Sequence, residues 1–245
     1  MGSNHIRYDE HGVPEYSAQD LENKAEEVLS FFDEAKLAAP APTPFEQIAD
    51  TLNKDYNIEI NFDADLGSVT SGNEKVLGKF VFDPRAILID RSLQQDIGPF
   101  NFTFAHEIGH LVLHRKLKLK ADFDPDEISD TKHDLITSKK ILTTPHDWIE
   151  WQANKFASSL LMPRPTVRKA VIEKQKEIEI KSNIGLIYLE NKPYSMADYL
   201  TIVEHLRLVY QASKTAIECR LLDLGILIDK RLQDIEHISK LFRAE

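Results

Sequence analysis

Apolar residues recur at helical spacing in two segments near the start of the chain. From Ser17 to about Leu37 they follow the three-to-four-residue period of a helix with one buried face. A break rich in alanine and proline follows at residues 38–42. The sequence Thr43-Pro44-Phe45-Glu46 then predicts the start of a second helix, with a capping box and a proline in the first helical position.

From residue 57 onward the apolar spacing changes to the alternation that is typical of strands. Ile58, Ile60 and Phe62 alternate with polar residues. Two further segments, Val76–Phe82 and Ala86–Asp90, flank a turn at residues 83–85 and predict a hairpin. Together these segments predict a small antiparallel sheet that precedes the next helix.

The region after Pro163 predicts a mostly helical lobe. Residues 178–181 and 185–190 favour a second hairpin, and Ser195 favours a helix that runs to about Tyr210. Ser213 is a candidate N-cap of a last helix, which ends before a glycine at residue 225.

These last two helices also fit a helix-turn-helix, the fold of many DNA-binding domains. The second helix offers only Lys214 and Arg220 as cations, and it also carries Glu218 and Asp223. Because DNA readers need positive charge for the phosphates, we favour a lobe that packs on the core over a DNA-binding module.

The apolar segment Phe102–His114 contains an H-E-x-x-H motif at residues 106–110. Residues four apart share one helix face, so His106 and His110 are placed to bind one Zn²⁺. Glu107 is then placed to take a proton from a water on the metal. Burying such groups is costly unless they are paired or bind a metal, which favours a metal site over histidines that bond only to backbone. The predicted chemistry is hydrolysis, above all of a peptide bond.

A catalytic zinc site requires a third protein ligand. The long metzincin pattern is excluded, because Leu113 and Lys116 stand where that pattern needs glycine and histidine. Glu150 is the best candidate, since it extends by one turn the apolar stripe of a helix predicted from Asp147 to Pro163. The spacing leaves a second interpretation open, in which Glu150 is a first-turn acid favoured by the helix dipole.

The segments Phe102–His114 and Glu150–Pro163 resemble the signatures of the ImmA/IrrE family of metallo-endopeptidases. The resemblance covers roughly residues 14–163, with weaker similarity to about residue 228. It implies an α+β fold with a zincin-like metallopeptidase core, a small antiparallel sheet, a metal-binding helix and a helical C-terminal lobe. It also implies that Glu150 is the third zinc ligand. Gln152 departs from the glutamate common at its position, and no ligand role follows for the family histidine His114.

The function that the resemblance implies is that of a zinc-dependent endopeptidase. Its ligands for Zn²⁺, or for another divalent ion, are His106, His110 and Glu150, and its catalytic base is Glu107. The implied substrate is a partner transcriptional repressor of the helix-turn-helix type, cleaved in a stress or mobile-element response. Zincin-type proteases commonly pair an extended substrate with a sheet edge, but the sequence leaves open which strand is that edge.

An alternative function is a non-catalytic regulatory or toxin–antitoxin-type binding module on the same fold. In that case the metal would be structural or vestigial. The intact Glu107 argues against this alternative, because a structural metal has no use for a base.

The segment between His114 and Glu150 is longer than the family pattern and strongly acidic. Its potential metal-binding residues are Asp122, Asp124, Asp126, Glu127, Asp130, His133 and Asp134. We interpret the segment as a solvated acidic loop without a strong helix or strand pattern. Because its two ends adjoin the two predicted metal helices, it either screens the cleft and selects a basic substrate or is an inert insertion.

Composition adds limits to these predictions. The chain has 245 residues and a net charge of −10, so it is not an obvious binder of nucleic acid or membranes, but it suits a basic partner protein. Cys219 is the only cysteine, which rules out an intrachain disulfide and a cysteine-based zinc site. Without a signal-like segment or a long apolar run, we expect a cytoplasmic protein. We expect a disordered segment at 1–16, a peptidase domain at 17–163 and a helical lobe at 164–245.

Overall fold

A computed structural model describes residues 7–67, 75–114, 127–131 and 142–231, with the backbone alone in 127–131. The helices in these ranges are α1 (Ala18–Phe32), α2 (Ala35–Ala38), α3 (Phe45–Tyr56), α4 (Ile97–His114), α5 (Pro145–Leu161), α6 (Arg164–Glu177), α7 (Pro193–Tyr210) and α8 (Lys214–Asp223). The strands are β1 (Glu59–Ala64), β2 (Val76–Phe82), β3 (Arg85–Asp90), β4 (Glu127–Thr131), β5 (Ile187–Leu189) and β6 (Leu227–Asp229). Helices together with a four-stranded sheet and a two-stranded sheet confirm the predicted α+β class. Among the described helices, none combines the length and the apolar run needed to cross a bilayer.

The main sheet has the strand order β1-β3-β2-β4. The predicted hairpin is confirmed, because β2 and β3 pair antiparallel around residues 83–84. The prediction of an antiparallel sheet is wrong for β1, which pairs parallel with β3, with Glu59 opposite Ala86. Strand β3 buries Ile87 and Ile89 and is paired on both edges. Local alternation predicts the buried face of a strand but not the direction of a distant partner.

The acidic segment contains a strand that the sequence did not predict. Strand β4 pairs antiparallel with β2, with Ile128 opposite Phe80 and Glu127 opposite Val81. The interpretation as a loop is therefore wrong for residues 127–131, whereas residues 115–126 and 132–141 lie outside the described ranges. Pairing along a sheet edge satisfies backbone groups without requiring a side-chain pattern, so hydrophobic alternation missed this strand.

Helices α4 and α5 pack closely because small residues face each other. A Cβ atom added to Gly109 would lie 3.2 Å from both Ala153 Cα and Phe156 Cδ1. The predicted apolar stripe of α5 is buried throughout, at Ala153, Ala157, Leu160 and Leu161. The helix starts earlier than predicted, because Thr144 is its N-cap and Asp147 closes a capping box with it.

The first two helices follow the predictions only in part. Ser17 caps α1 through a capping box with Asp20, but the helix ends at Phe32 rather than near Leu37. The capping box predicted at residues 43–46 is wrong. The backbone N-cap of α3 is Pro44, and the hydroxyl of Thr43 donates to the distant carbonyl of Leu160 at 3.0 Å.

The expected N-terminal disorder does not hold for residues 7–16, which lie against α5. Tyr8 and Pro14 form an antiparallel β-bridge. Val13 is buried in a small cluster with Ile149. The carbonyl of Pro14 accepts a hydrogen bond from Gln152 Nε2 at 2.6 Å, so this segment reaches the helix that carries Glu150. The domain boundaries themselves stay a prediction.

The hairpin predicted at residues 178–190 is wrong. Strand β5 pairs parallel with β6, which follows α7 and α8 in the chain. Ser195 does not cap α7, since its hydroxyl donates to the Tyr188 carbonyl at 2.7 Å. The prediction for α8 is confirmed, because Ser213 caps the helix and Gly225 follows its end at φ +64°.

Arg220, which the sequence offered as a DNA-contacting cation, lies in the core with 1% of its surface exposed. Its guanidinium group binds the Glu22 carboxylate through both terminal nitrogens, and its Nε donates to the Met162 carbonyl at 2.9 Å. Burial raises the pKa of Glu22, but the hydrogen bond and the charge of Arg220 outweigh it and hold that pKa below its usual range. The ion pair thus joins α8 to α1 and to the end of α5.

We predict that Arg220→Ala lowers the free energy of unfolding by about 3–5 kcal/mol, because Glu22 is left buried without its partner. Urea denaturation at neutral pH measures this loss. The matched control is Arg207→Ala, whose partner Glu204 lies at the surface, and which should cost about 0.5 kcal/mol or less. Equal losses in the two variants would contradict the prediction.

The same ion pair predicts a pH dependence. Because the pKa of Glu22 is lowered in the folded state, the pair stabilises the fold above the pKa of the unfolded carboxyl group. This stabilisation disappears as the pH falls through the folded pKa. Urea denaturation in acid should therefore show a smaller difference between the wild type and Arg220→Ala, and a constant difference would argue against the pair as its source.

Candidate metal centre

Helices α4 and α5 bring the three predicted ligands to one point. The ligand atoms of His106, His110 and Glu150 all lie within 4.8 Å of one another. The two histidines are fully buried, and Glu150 is 5% exposed. The acidic residues weighed as alternative ligands contribute no described side chain, so the test of that alternative lies outside the described residues.

The distances between these atoms fit a single zinc ion. His106 Nε2 lies 2.8 Å from His110 Nε2 and 3.2 Å from Glu150 Oε2. His110 Nε2 lies 3.7 Å from Glu150 Oε1. Two ligand atoms that each lie about 2.0–2.2 Å from a tetrahedral zinc are about 3.3 Å apart. This separation falls within the 2.8 to 3.7 Å observed between the three ligands. Two imidazoles and one carboxylate also form a ligand set found in catalytic zinc sites, which keep a fourth position open.

Asn154, one turn after Glu150, orients the first histidine. Its Oδ1 lies 3.0 Å from His106 Nδ1. An amide oxygen only accepts hydrogen bonds, so Nδ1 carries the proton in this pair. The lone pair of His106 Nε2 consequently faces the other ligands, which is the orientation that a metal requires.

A chain of hydrogen bonds orients His110 in the same way. His110 Nδ1 lies 3.0 Å from His114 Nδ1, and His114 Nε2 lies 3.0 Å from Gln152 Oε1. Because Gln152 Oε1 accepts the proton of His114 Nε2, Nδ1 of a neutral His114 accepts from His110 Nδ1. His110 Nε2 thereby keeps its lone pair for a metal.

This network gives a physical reason for Gln152, which replaces the glutamate common at this position in the family. Its amide oxygen accepts from His114 while its amide nitrogen donates to the Pro14 carbonyl. An ionised glutamate at this position would have acceptor oxygens but no donor for the Pro14 carbonyl. Sequence reasoning missed the positioning roles of His114, Gln152 and Asn154. For His114 and Asn154 the available signal was a spacing of four residues from His110 and Glu150. Gln152 follows Glu150 by two residues, a spacing that places side chains on different faces of a helix, so the sequence carried no such signal for it.

Glu107 is fully buried, and its carboxylate lies against β2. A Cβ atom added to Gly78 would lie 2.1 Å from Glu107 Oε1 and 2.6 Å from Thr103 Cγ2. Only glycine leaves room for this approach of strand to helix. Sequence reasoning assigned Gly78 to a strand but gave it no role in the site, because the contact joins two separate elements.

His146 marks the solvent-exposed side of the centre. It precedes Glu150 by one helical turn, and its Nδ1 lies 3.8 Å from Glu150 Oε1. Its side chain is 39% exposed, in contrast to the buried imidazoles of His106 and His110. Sequence reasoning did not single out His146, although the spacing of four residues from Glu150 was visible.

Comparison with known families gives one match. Residues 70–221 match the family described as IrrE N-terminal-like domain, Peptidase M78. The matched range is more than half of the chain and includes β2, β3, α4 and α5, and thus every residue of the metal centre. Among curated proteins, none matches the chain.

We predict that the purified protein holds about one zinc ion per chain. His106→Ala and His110→Ala should abolish this content, because each removes one of three ligands that the helices hold in place. Elemental analysis after dialysis measures the occupancy, and His205→Ala, on the distant helix α7, is the control that should retain it. Unchanged occupancy and coordination in Glu150→Ala would mean that the third ligand lies elsewhere, with the acidic residues 122–134 as the next candidates.

Proposed function

The chain belongs to the IrrE N-terminal-like domain family of peptidases, and on that premise we propose that it is a zinc-dependent endopeptidase. One observation carries the proposal, namely the convergence of His106, His110 and Glu150, with a buried Glu107 directly after His106 in α4. Three ligands leave a coordination position for a substrate, whereas structural zinc sites are usually closed by four. A structural site would also have no use for a base.

Each residue has a separate task in this proposal. His106 and His110 hold zinc through Nε2, and Glu150 holds it through its carboxylate. When bound, the ion lowers the pKa of water and polarises a carbonyl group. The carboxylate of Glu107 accepts the proton of the attacking water and delivers it to the nitrogen of the leaving amine. Gly78 supports this step because it leaves space for that carboxylate beside β2.

We further propose that the substrate is a partner transcriptional repressor of the helix-turn-helix type, cleaved in a stress or mobile-element response. The resemblance to ImmA/IrrE peptidases supports this substrate. The net charge of −10 supports it as well, since a DNA-binding protein carries the positive charge that an acidic enzyme attracts.

We predict that Glu107→Gln retains zinc but lowers the rate of hydrolysis by about 10²–10⁴-fold, because an amide keeps the shape and cannot accept the proton. The assay incubates purified protein with the helix-turn-helix regulator encoded nearest to its gene and follows cleavage by mass spectrometry. Glu204→Gln, which removes an exposed carboxylate, should retain the wild-type rate. An equally active Glu107→Gln would refute the mechanism, and binding without cleavage by the zinc-loaded wild type would favour a non-catalytic module.

We predict that Gly78→Ala lowers the rate of hydrolysis by about 10²-fold, because the added methyl group displaces the Glu107 carboxylate. Zinc content should stay at the wild-type level, since no ligand is touched. The control is Lys54→Ala, which changes an exposed side chain on α3 and should cleave at nearly the wild-type rate. A fully active Gly78→Ala would show that the contact does not position the base.

A further inference from the structure

The edge of β2 is the part of the sheet next to Glu107. A Cβ atom added to Gly78 would lie only 2.1 Å from Glu107 Oε1, so the carboxylate already fills that space. Strand β2 pairs with β3 on one edge and with β4 on the other. The opposite border of the sheet, β1, is separated from β2 by β3. An extended chain can therefore pair with β2 near Glu107 only along the edge that β4 occupies.

The register of β4 covers this edge beside the site. Asp130 stands opposite Gly78, and Ser129 stands opposite Lys79 in an antiparallel pair. The pairing continues as far as Val81. An extended peptide bound to β2 by backbone hydrogen bonds would occupy the same space as the backbone of β4.

We propose that the β2 edge from Gly78 to Val81 binds an extended segment of the substrate, and that β4 is an internal competitor for this edge. The inference rests on the proposed peptidase function. A peptide on the outer edge of β4 would lie two strand spacings from β2, on the order of 9–10 Å. Glu107 must come within about 3 Å of the proton that it moves, so that peptide is out of its reach. The substrate has to replace β4.

The structure also supplies the reasons why β4 can be replaced. The strand has five residues, and its pairing with β2 is irregular between Val76 and Gly78, beside Glu107. In the described sheet β4 has a strand partner on one side only, and elements with few supporting contacts are those that open locally. A substrate strand restores the backbone hydrogen bonds that β4 gives up. The sequence around β4 is acidic, so positively charged substrates are attracted to the edge that they must enter.

A disulfide between β2 and β4 tests the replacement. The variant combines Lys79→Cys and Ser129→Cys in a Cys219→Ser background, so that the two introduced thiols can form a disulfide. Residues 79 and 129 are directly opposite, and such pairs have Cα atoms about 4.5–5.5 Å apart, within the range of a disulfide. The zinc-loaded protein would be assayed on fluorescently labelled casein, an unfolded protein. We expect the oxidised form to lose cleavage and the reduced form to regain it at constant zinc content. The single variant Lys79→Cys in the same background is the control that should not respond to oxidation.

A peptide tests the binding surface without catalysis. In a Glu107→Gln background, residues 122–134 would be replaced by a short Gly/Ser linker, and a labelled synthetic peptide of residues 125–133 would be added. We expect this variant to bind the peptide at least about tenfold more tightly than the protein that keeps β4, because β4 competes at a high effective concentration. Hydrogen exchange should slow at Lys79 to Val81 when the peptide binds.

The two measurements separate the inference from the proposed function. Equal cleavage by the oxidised and reduced forms would overturn the inference, as would a linker variant that does not bind the peptide. If no form cleaves casein or the repressor, the peptidase function is refuted. If the peptide still binds only to the variant that lacks β4, the binding surface on β2 stands independently of that function.

Discussion

The close crossing of α4 and α5 is the constraint on which the metal centre depends. Gly109 and Ala153 meet at this crossing without a larger side chain between the helix backbones. Since Gly109 adjoins His110 and Ala153 lies three residues after Glu150, this distance decides whether a carboxylate on one helix reaches the imidazoles of the other. Interiors are packed too densely to absorb a wider separation locally, so a larger residue at either position would move the ligands apart.

The centre contains several buried polar side chains, and these are connected by hydrogen bonds. Asn154 sets the direction of His106, and the chain through His114 and Gln152 sets the direction of His110. The second chain ends on the Pro14 carbonyl, which makes residues 7–16 a support of the centre rather than a tail. Such networks hold ligands in a productive geometry before a metal arrives, and they lower the cost of burying the polar groups themselves.

The sheet contributes to the site through backbone rather than through side chains. Gly78 offers the base a surface without a Cβ, and the backbone groups along the β2 edge pair with β4. Both properties belong to the strand that β4 covers. The strand that positions the base is thus the strand whose edge β4 covers, and under the proposed competition this gives the acidic segment a physical route to regulation. At the C-terminal end of α5, the pair of Arg220 with Glu22 ties α8 to α1, and Arg220 also donates to the Met162 carbonyl.

The sequence alone determined the features that follow from local periodicity and local chemistry. The sequence showed the four-residue spacing of His106 and His110, the apolar stripe of α5, the hairpin of β2 and β3, the start of α1 near Ser17 and the cap at Ser213. Each of these features depends on residues within a few positions of one another. Glu150 was a candidate by spacing and a ligand by family resemblance, and only the fold brought it to the histidines. The tertiary structure decided the parallel pairing of β1, the place of β4, the role of Gln152 and the burial of Arg220. These features arise from backbone hydrogen bonds and contacts between distant segments, and no local pattern of apolar and polar residues encodes which distant partner a strand edge or a buried charge will find.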